Sequence, residues 1–246
     1  MSRRADPDRD TGLDMNRCSL GAVVLASILL ALSPAEARAD RPTSGDMSLL
    51  SGRTLGVDNT VIAAGLGWPG FWAQVELAPS STFNLGIRGE VDYGSPIMGV
   101  GTAIGGGVSV PMRIHFYGEG SLDLAVGIRP LGVVGEGSTV GARDVFSDDL
   151  GWGVGSEARL LLGYQASDDV TIGAGAGGGL YYVNVPDDDT HSDLVGSMLV
   201  SAVIEALMRR DTMLFAEIVA GYGFAPGPLF DGNGVVRVSL GVAYLL

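Results

Sequence analysis

The chain has 246 residues, a formal net charge of −13 and no lysine, so all 15 basic residues are arginine. Proteins that bind nucleic acid need a basic surface, and this composition therefore excludes nucleic acid as a partner. Glycine accounts for 39 residues, about twice its usual share. The length fits a single β-barrel domain, and no stretch reaches the roughly 20 apolar residues of a membrane-spanning helix.

The first predicted element is an export signal in residues 1–39. An apolar run follows Arg17, and Ala37 and Ala39 form an A-x-A cleavage motif. A basic flank, a short apolar run and small residues at the cleavage point are the three parts of a secretory signal peptide. We therefore predict cleavage after Ala39, with Met15 as an alternative start of translation.

Residues 40–59 are polar and mixed, and contain proline and glycine. This composition predicts a linker or a poorly ordered lead-in. The only cysteine, Cys18, precedes the apolar run of the signal. A lipid anchor at the cleavage point is therefore excluded, and the exported chain is not expected to depend on disulfides.

From residue 60 to the last residue, apolar and polar side chains alternate in segments of about ten to fifteen residues. No convincing helical periodicity interrupts them. The predicted strands are 60–68, 71–78, 83–93, 99–114, 120–132, 151–164, 170–184, 195–207, 213–223 and 235–246. The first two segments form either two strands or one strand interrupted at 68–70, so eight to ten strands are expected. The domain 60–246 is predicted to be all-β.

The links between these segments alternate in length. Short, turn-forming links are predicted at 79–82, 165–169 and 209–212, and longer acidic links at 133–150, 185–194 and 224–234. Tight turns at one end and long loops at the other are typical of an antiparallel up-and-down transmembrane β-barrel. This is the predicted fold class.

Alternation alone does not say which face of each strand is buried. A soluble periplasmic ligand-binding barrel would bury the apolar face. The polar face, however, is rich in glycine and carries isolated acids and arginines of nearly balanced sign, which suits an enclosed interior. The predicted lumen-facing charge network consists of Arg88, Glu90, Asp92, Arg113, Asp123, Arg129, Glu157, Arg159, Glu205, Glu217 and Arg237.

Aromatic residues collect near the ends of the predicted strands, as in the interfacial girdles of membrane barrels. They are Trp68, Phe71, Trp72, Phe83, Tyr93, Phe116, Trp152, Tyr164, Tyr181, Tyr182, Tyr222 and Tyr244. The alternation of the last segment continues to Leu246. Both features favour an apolar face that contacts lipid.

These patterns resemble the small bacterial outer-membrane β-barrel proteins, such as the transmembrane domain of outer membrane protein A. The resemblance implies export to a Gram-negative outer membrane, contact with its lipid, and recognition of the C-terminal strand by the barrel assembly machinery. The chain departs from the family in ending with Leu246, where Phe or Trp is usual. A monomer without cofactor, metal or catalytic residues is expected.

Function is predicted as a non-enzymatic structural or surface-interaction role. The alternative is a narrow, porin-like channel for ions or small solutes; a plug of ion pairs is favoured because small barrels leave room only for side chains. A third hypothesis is a lipid A-modifying enzyme that pairs His115 with Ser109. The glycine-rich stretch 173–178 matches G-x-G-x-x-G, but a strand follows it rather than the helix that phosphate binding needs.

Overall fold

The computed structural model describes residues 47–97, 104–136, 150–185, 191–224 and 233–246. The predicted signal peptide lies outside these residues. No helix in the described ranges is long and apolar enough to cross a membrane. The strands are β1 Thr60–Trp68, β2 Gly70–Ser80, β3 Phe83–Asp92, β4 Gly105–Ser109, β5 Met112–Glu119, β6 Leu122–Glu136, β7 Leu150–Gln165, β8 Val170–Val185, β9 His191–Arg209, β10 Thr212–Phe224 and β11 Asn233–Leu245.

Hydrogen bonding closes the sheet into a barrel, because the first strand pairs with the last. β1 is antiparallel to β2 on one side and to β11 on the other, with Val61 opposite Leu245 and Trp68 opposite Val238. Antiparallel pairing continues around the rest of the wall. A closed sheet leaves no edge with unpaired N–H and C=O groups, which is what a lipid environment requires.

β4 and β5 occupy one position in the wall. Both pair with β3 and β6, and the register continues across the gap: Ser109 lies opposite Arg88, and Met112 opposite Leu85. Pro111 separates them because it has no N–H to contribute to the ladder. The wall therefore has ten strands, and the prediction of an all-β, antiparallel up-and-down barrel with eight to ten strands is confirmed.

The connections differ between the two ends of the barrel. One end carries the short turns 81–82, 120–121, 166–169 and 210–211. At the other end β1 and β2 meet at Pro69, so the first two predicted segments are separate strands. The remaining links at that end pass through 98–103, 137–149, 186–190 and 225–232, which lie outside the described residues. The predicted short turns are confirmed.

Successive side chains alternate between an apolar exterior and a packed interior. Ile87 is 60% exposed on the outer surface, and Leu122 and Leu124 share that surface. The side chains of Arg88 and Asp123 point inward and are only 15% and 16% exposed. The prediction of an outward apolar face is thus confirmed, and the alternative with the apolar face inside is wrong.

Aromatic rings form two belts on the outer surface. The belt near one end consists of the exposed rings Phe71, Tyr93, Trp152, Tyr182, Tyr222 and Phe224, and the belt near the other end consists of Phe116, Tyr117 and Tyr244.

The distance between the belts can be read along β10. Thr212 pairs with Tyr244 and therefore lies at the level of the second belt. From Thr212 to Tyr222, β10 spans about 33 Å at 3.3 Å per residue, or about 25 Å along the axis at a tilt of about 40°. That height matches the apolar band of outer-membrane barrels.

Two rings predicted for the belts point inward instead. Trp72 is 4% exposed and Tyr181 is 1% exposed. Each is adjacent in sequence to another ring, Phe71 or Tyr182, and in a regular strand alternation places only one member of such a pair outside. Phe116 and Tyr117 are both exposed because the register shifts between His115 and Tyr117.

Residues 47–55 fold into the barrel at the end that carries the short turns, and we call them the N-terminal plug. Met47, Leu49 and Leu55 are almost fully buried. They pack against inward-facing side chains of four strands: Val61, Ala63, Trp72, Ala78, Met213, Phe215 and Ala243. The plug thus corrects the interpretation of this part of 40–59 as a linker or poorly ordered lead-in.

Candidate functional site

The barrel interior contains all eleven residues of the predicted charge network, each on the inward face of its strand. The structure divides them into a central network, a pair beside the plug and one acid near a turn. The central network comprises Arg88, Glu90, Arg129, Glu157, Arg159, Glu217 and Arg237, with Asp92 lining the same cavity. Arg113 and Glu205 contact the plug, and Asp123 contacts His115.

Glu157 is the centre of this network. Its Oε2 lies 3.1 Å from Nη2 of Arg129 and 3.3 Å from Nη2 of Arg159, and its Oε1 lies 2.7 Å from Nη2 of Arg237. Oε1 also accepts a hydrogen bond of 2.7 Å from the Tyr181 hydroxyl. One buried carboxylate therefore ties together β6, β7, β8 and β11, whose charges would otherwise stay uncompensated away from water.

Glu90 and Glu217 extend the network to further strands. Glu90 Oε2 lies 3.2 Å from Nε of Arg88, and Arg88 stacks over the Trp72 ring at 4.1 Å from its centroid. Glu217 accepts a hydrogen bond of 3.0 Å from Arg159. Glu90 Oε2 also lies 3.9 Å from Nη1 of Arg129, so the network crosses the lumen from β3 to β10.

A second cluster, centred on Glu76, lies between the central network and the plug. Glu76 accepts hydrogen bonds from Gln74 (2.6 Å), Asn84 (2.8 Å) and Arg113 (2.7 Å). The sequence prediction included Arg113 but omitted Glu76. The alternation that would have identified Glu76 is present in the sequence, since Gln74 and Glu76 are separated by the apolar Val75, which is exposed on the outer surface of β2.

A cavity of about 130 Å³ occupies the lumen. Its lining begins at plug residues Leu49 and Leu50, includes the central network, and reaches Pro69 and Pro96 at the opposite end of the barrel. Pockets for drug-sized ligands are larger, at about 300–1,000 Å³. The cavity has room for water molecules rather than for a sugar or a nucleotide.

The glycine-rich stretch 173–178 lies within β8 and provides space in the lumen. A Cβ on Gly173 would lie 3.0 Å from the Ser51 side chain of the plug, and one on Gly179 would lie 2.3 Å from the Tyr181 hydroxyl. Glycine here lets the plug and Tyr181 approach the wall. No helix follows that could present its N-terminus to a phosphate, as the sequence indicated.

His115 does not pair with Ser109. Its Nε2 lies 3.3 Å from Oδ1 of Asp123, whereas Ser109 Oγ has no hydrogen-bonding partner among the described residues. The two residues lie six positions apart along an almost continuous strand, about 20 Å at 3.3 Å per residue. The His–Ser pair considered in the third hypothesis is therefore not formed.

In the part of the chain that the structure describes, no three His, Cys, Asp or Glu side chains are arranged to hold a metal ion. The interior contains paired charges and hydrogen bonds. Such groups can hold the strands of the wall together and can form hydrogen bonds with water.

No protein-family model and no curated protein matches the chain. Solved structures of similar fold include the attachment invasion locus protein Ail of Yersinia pestis in complex with the heparin analogue sucrose octasulfate, at 11% identity over 77% of this chain and 100% of Ail, with a TM-score of 0.40. The outer-membrane protease OmpT of Escherichia coli is 9% identical over 78% of this chain and 94% of its own, with a TM-score of 0.39. The KdgM porin in complex with disordered oligogalacturonate is 12% identical over 76% and 98%, with a TM-score of 0.33.

These similarities concern the fold alone. The closed ten-strand wall, the apolar exterior and the two aromatic belts are properties of the chain itself. Together they give it the fold of a small bacterial outer-membrane β-barrel.

Proposed function

We propose that the chain is a non-enzymatic integral outer-membrane protein with a structural or surface-interaction role, and that its lumen is closed at rest. The observation that carries the proposal is Glu157, which engages three arginines and Tyr181 at the centre of the lumen. An interior braced in this way stiffens the wall and leaves little space for solutes. The plug closes one end of that interior.

We also propose that the protein is located in the bacterial outer membrane. The signal in residues 1–39 directs export, outer-membrane lipid surrounds the apolar face, and the barrel assembly machinery acts on β11. The role of β11 is supported by its pairing with β1, since this pairing closes the barrel. The exposed ring of Tyr244 contributes an aromatic side chain near the end of that strand.

Absence of catalysis is part of the same proposal. His115 contacts Asp123, whereas Ser109 Oγ has no hydrogen-bonding partner among the described residues. A histidine–acid pair near a turn lacks the nucleophile that a triad needs. His115 is therefore assigned a structural role.

The test begins with cells that express the full chain. We expect the protein in the outer-membrane fraction, with gel migration that shifts on boiling. In planar bilayers the folded protein should show no steady conductance, and lipid A should have the same mass spectrum with the wild type, with His115→Ala and with an empty vector. Recovery in the soluble fraction, a permanently open pore, or a lipid A change that depends on His115 would each contradict the proposal.

A further inference from the structure

The N-terminal plug borders the lumen cavity at the end that carries the short turns, which is the periplasmic end in outer-membrane barrels, and its attachment to the wall differs from that of the strands. We propose that the plug is a gate, and that its release opens a narrow path for small ions through the barrel. This inference rests on the membrane-inserted barrel proposed above, but goes beyond it by assigning a second state to the protein.

Glu205 of β9 holds one side of the plug. Its Oε1 accepts hydrogen bonds of 2.7 Å from the backbone N–H groups of Leu49 and Leu50, and its Oε2 accepts one of 2.8 Å from the Ser48 hydroxyl. The Glu205 carboxylate is 2% exposed. Hydrogen bonds to a buried charged acceptor are stronger than neutral ones, so this single side chain contributes much of the attachment.

Arg113 holds the plug from another strand, β5. Its guanidinium donates hydrogen bonds of 2.9 Å to the carbonyl oxygens of Ser48 and Ser51, and it is fixed by Glu76 at 2.7 Å. The plug is thus clamped between a carboxylate that binds its N–H groups and a guanidinium that binds its carbonyls.

Wall side chains supply these attachments. The hydrogen bonds that join residues 48–51 to Glu205 and Arg113 each involve a side chain of a strand rather than its backbone. Additional attachment comes from Thr54, whose hydroxyl donates to the Ser81 carbonyl at 2.8 Å, and from Arg53, which donates to Gln165 at 2.6 Å. The plug can therefore leave without breaking the hydrogen bonds that hold the wall together.

The cavity beyond the plug defines the path. Leu49 and Leu50 form its floor, and its lining continues past Arg129 to Pro69 and Pro96 at the other end. Arginines and carboxylates both line it, so small ions of either sign find partners there, whereas its volume of about 130 Å³ is below that of solute pockets. Removal of the floor would connect this cavity to the periplasm.

The first test is Glu205→Ala, with Asp123→Ala as the matched control because the Asp123 carboxylate faces the lumen but contacts His115 and does not line the cavity. Planar bilayer recordings should show brief openings in Glu205→Ala, with an open probability roughly tenfold or more above the wild type, given the strength of hydrogen bonds to a charged acceptor. Asp123→Ala should match the wild type. Equal open probabilities in folded Glu205→Ala and wild type would overturn the gate.

The second test locks the plug with a disulfide in a chain whose Cys18 is replaced by serine. A Cβ built on Gly163 lies 3.4 Å from Cβ of Ser51, close to the 3.5–4.5 Å of a disulfide. Ser51→Cys with Gly163→Cys should cross-link in the folded barrel, whereas Ser51→Cys with Gly153→Cys, a position beside Ile97 and Tyr182, should not.

In the Glu205→Ala background, the oxidised 51–163 pair should abolish the openings and a reductant should restore them. Boiling-dependent gel migration reports separately whether each variant has formed the barrel. Failure of the pair to cross-link in a folded barrel, or openings that persist after cross-linking, would overturn the gate while leaving the outer-membrane proposal intact.

Discussion

Replacing Glu157 with alanine is expected to lower the free energy of unfolding of the barrel by about 3–5 kcal/mol, the usual cost of removing one partner from a buried ion network. The change leaves Arg129, Arg159 and Arg237 facing one another without the carboxylate that they share. It also removes the acceptor of the Tyr181 hydroxyl. Urea titration of the folded protein in lipid vesicles, followed by tryptophan fluorescence, measures the effect.

Glu217→Ala is the matched control for this experiment. Glu217 forms an ion pair with Arg159 alone among the described residues, and its side chain is 13% exposed rather than 2%. We expect a smaller loss of about 1.5–3 kcal/mol, the value of one hydrogen bond to a charged group. Equal losses in the two variants would show that Glu157 is not the centre of the network.

Placing arginine at Ile218 is expected to destabilise the barrel by about 2–4 kcal/mol, because a charge at the middle of the lipid-facing surface loses its hydration. Ile218 is 45% exposed on β10, roughly midway between Thr212 and Tyr222. The same urea titration in vesicles reports the change. In detergent, where water approaches more closely, the cost should shrink.

Thr212→Arg on the same strand controls for side-chain size and charge. Thr212 lies at the level of Tyr244 in the aromatic belt, where arginine costs only about 0–1 kcal/mol in membrane barrels. A cost that is the same at both depths would mean that the outer surface contacts water along its whole height.

Much of the fold could be predicted because a strand has a side-chain period of two. Once Leu122 and Leu124 are assigned to one face, Asp123 must occupy the other, whatever the rest of the chain does. The same period assigns residues to the inward face of every strand, and it therefore predicts the eleven lumen charges. Only the direction of the apolar face needed further information, and the aromatic belts supplied it.

Other features depend on tertiary pairing, which the period does not encode. The partners of Glu157 come from β6, β7, β8 and β11, and their meeting depends on the register and closure of the whole barrel. The exact strand count depended on whether Pro69 interrupts a strand or turns it, and the local sequence allows both.

The N-terminal plug was missed for a different reason. Residues 47–55 are too few, and too irregular, to show a period of two or of 3.6. Their burial arises from contacts with Glu205 and Arg113, which lie far away in the sequence. Gly52 is a partial clue: a Cβ there would lie 2.5 Å from the Asp123 carbonyl oxygen, so this position needs glycine for close approach to the wall.

The central claim, an apolar face in lipid around a polar interior, is tested most directly by spin labels on β11. Single cysteines at positions 235–240, in a chain with Cys18 replaced by serine, would be labelled and reconstituted in vesicles. Collisions with dissolved oxygen, which concentrates in lipid, should be frequent at Val236, Val238 and Leu240 and rare at Val235, Arg237 and Ser239. The opposite alternation, with the odd positions accessible to a water-soluble relaxation agent along the whole strand and the even positions shielded, would contradict it.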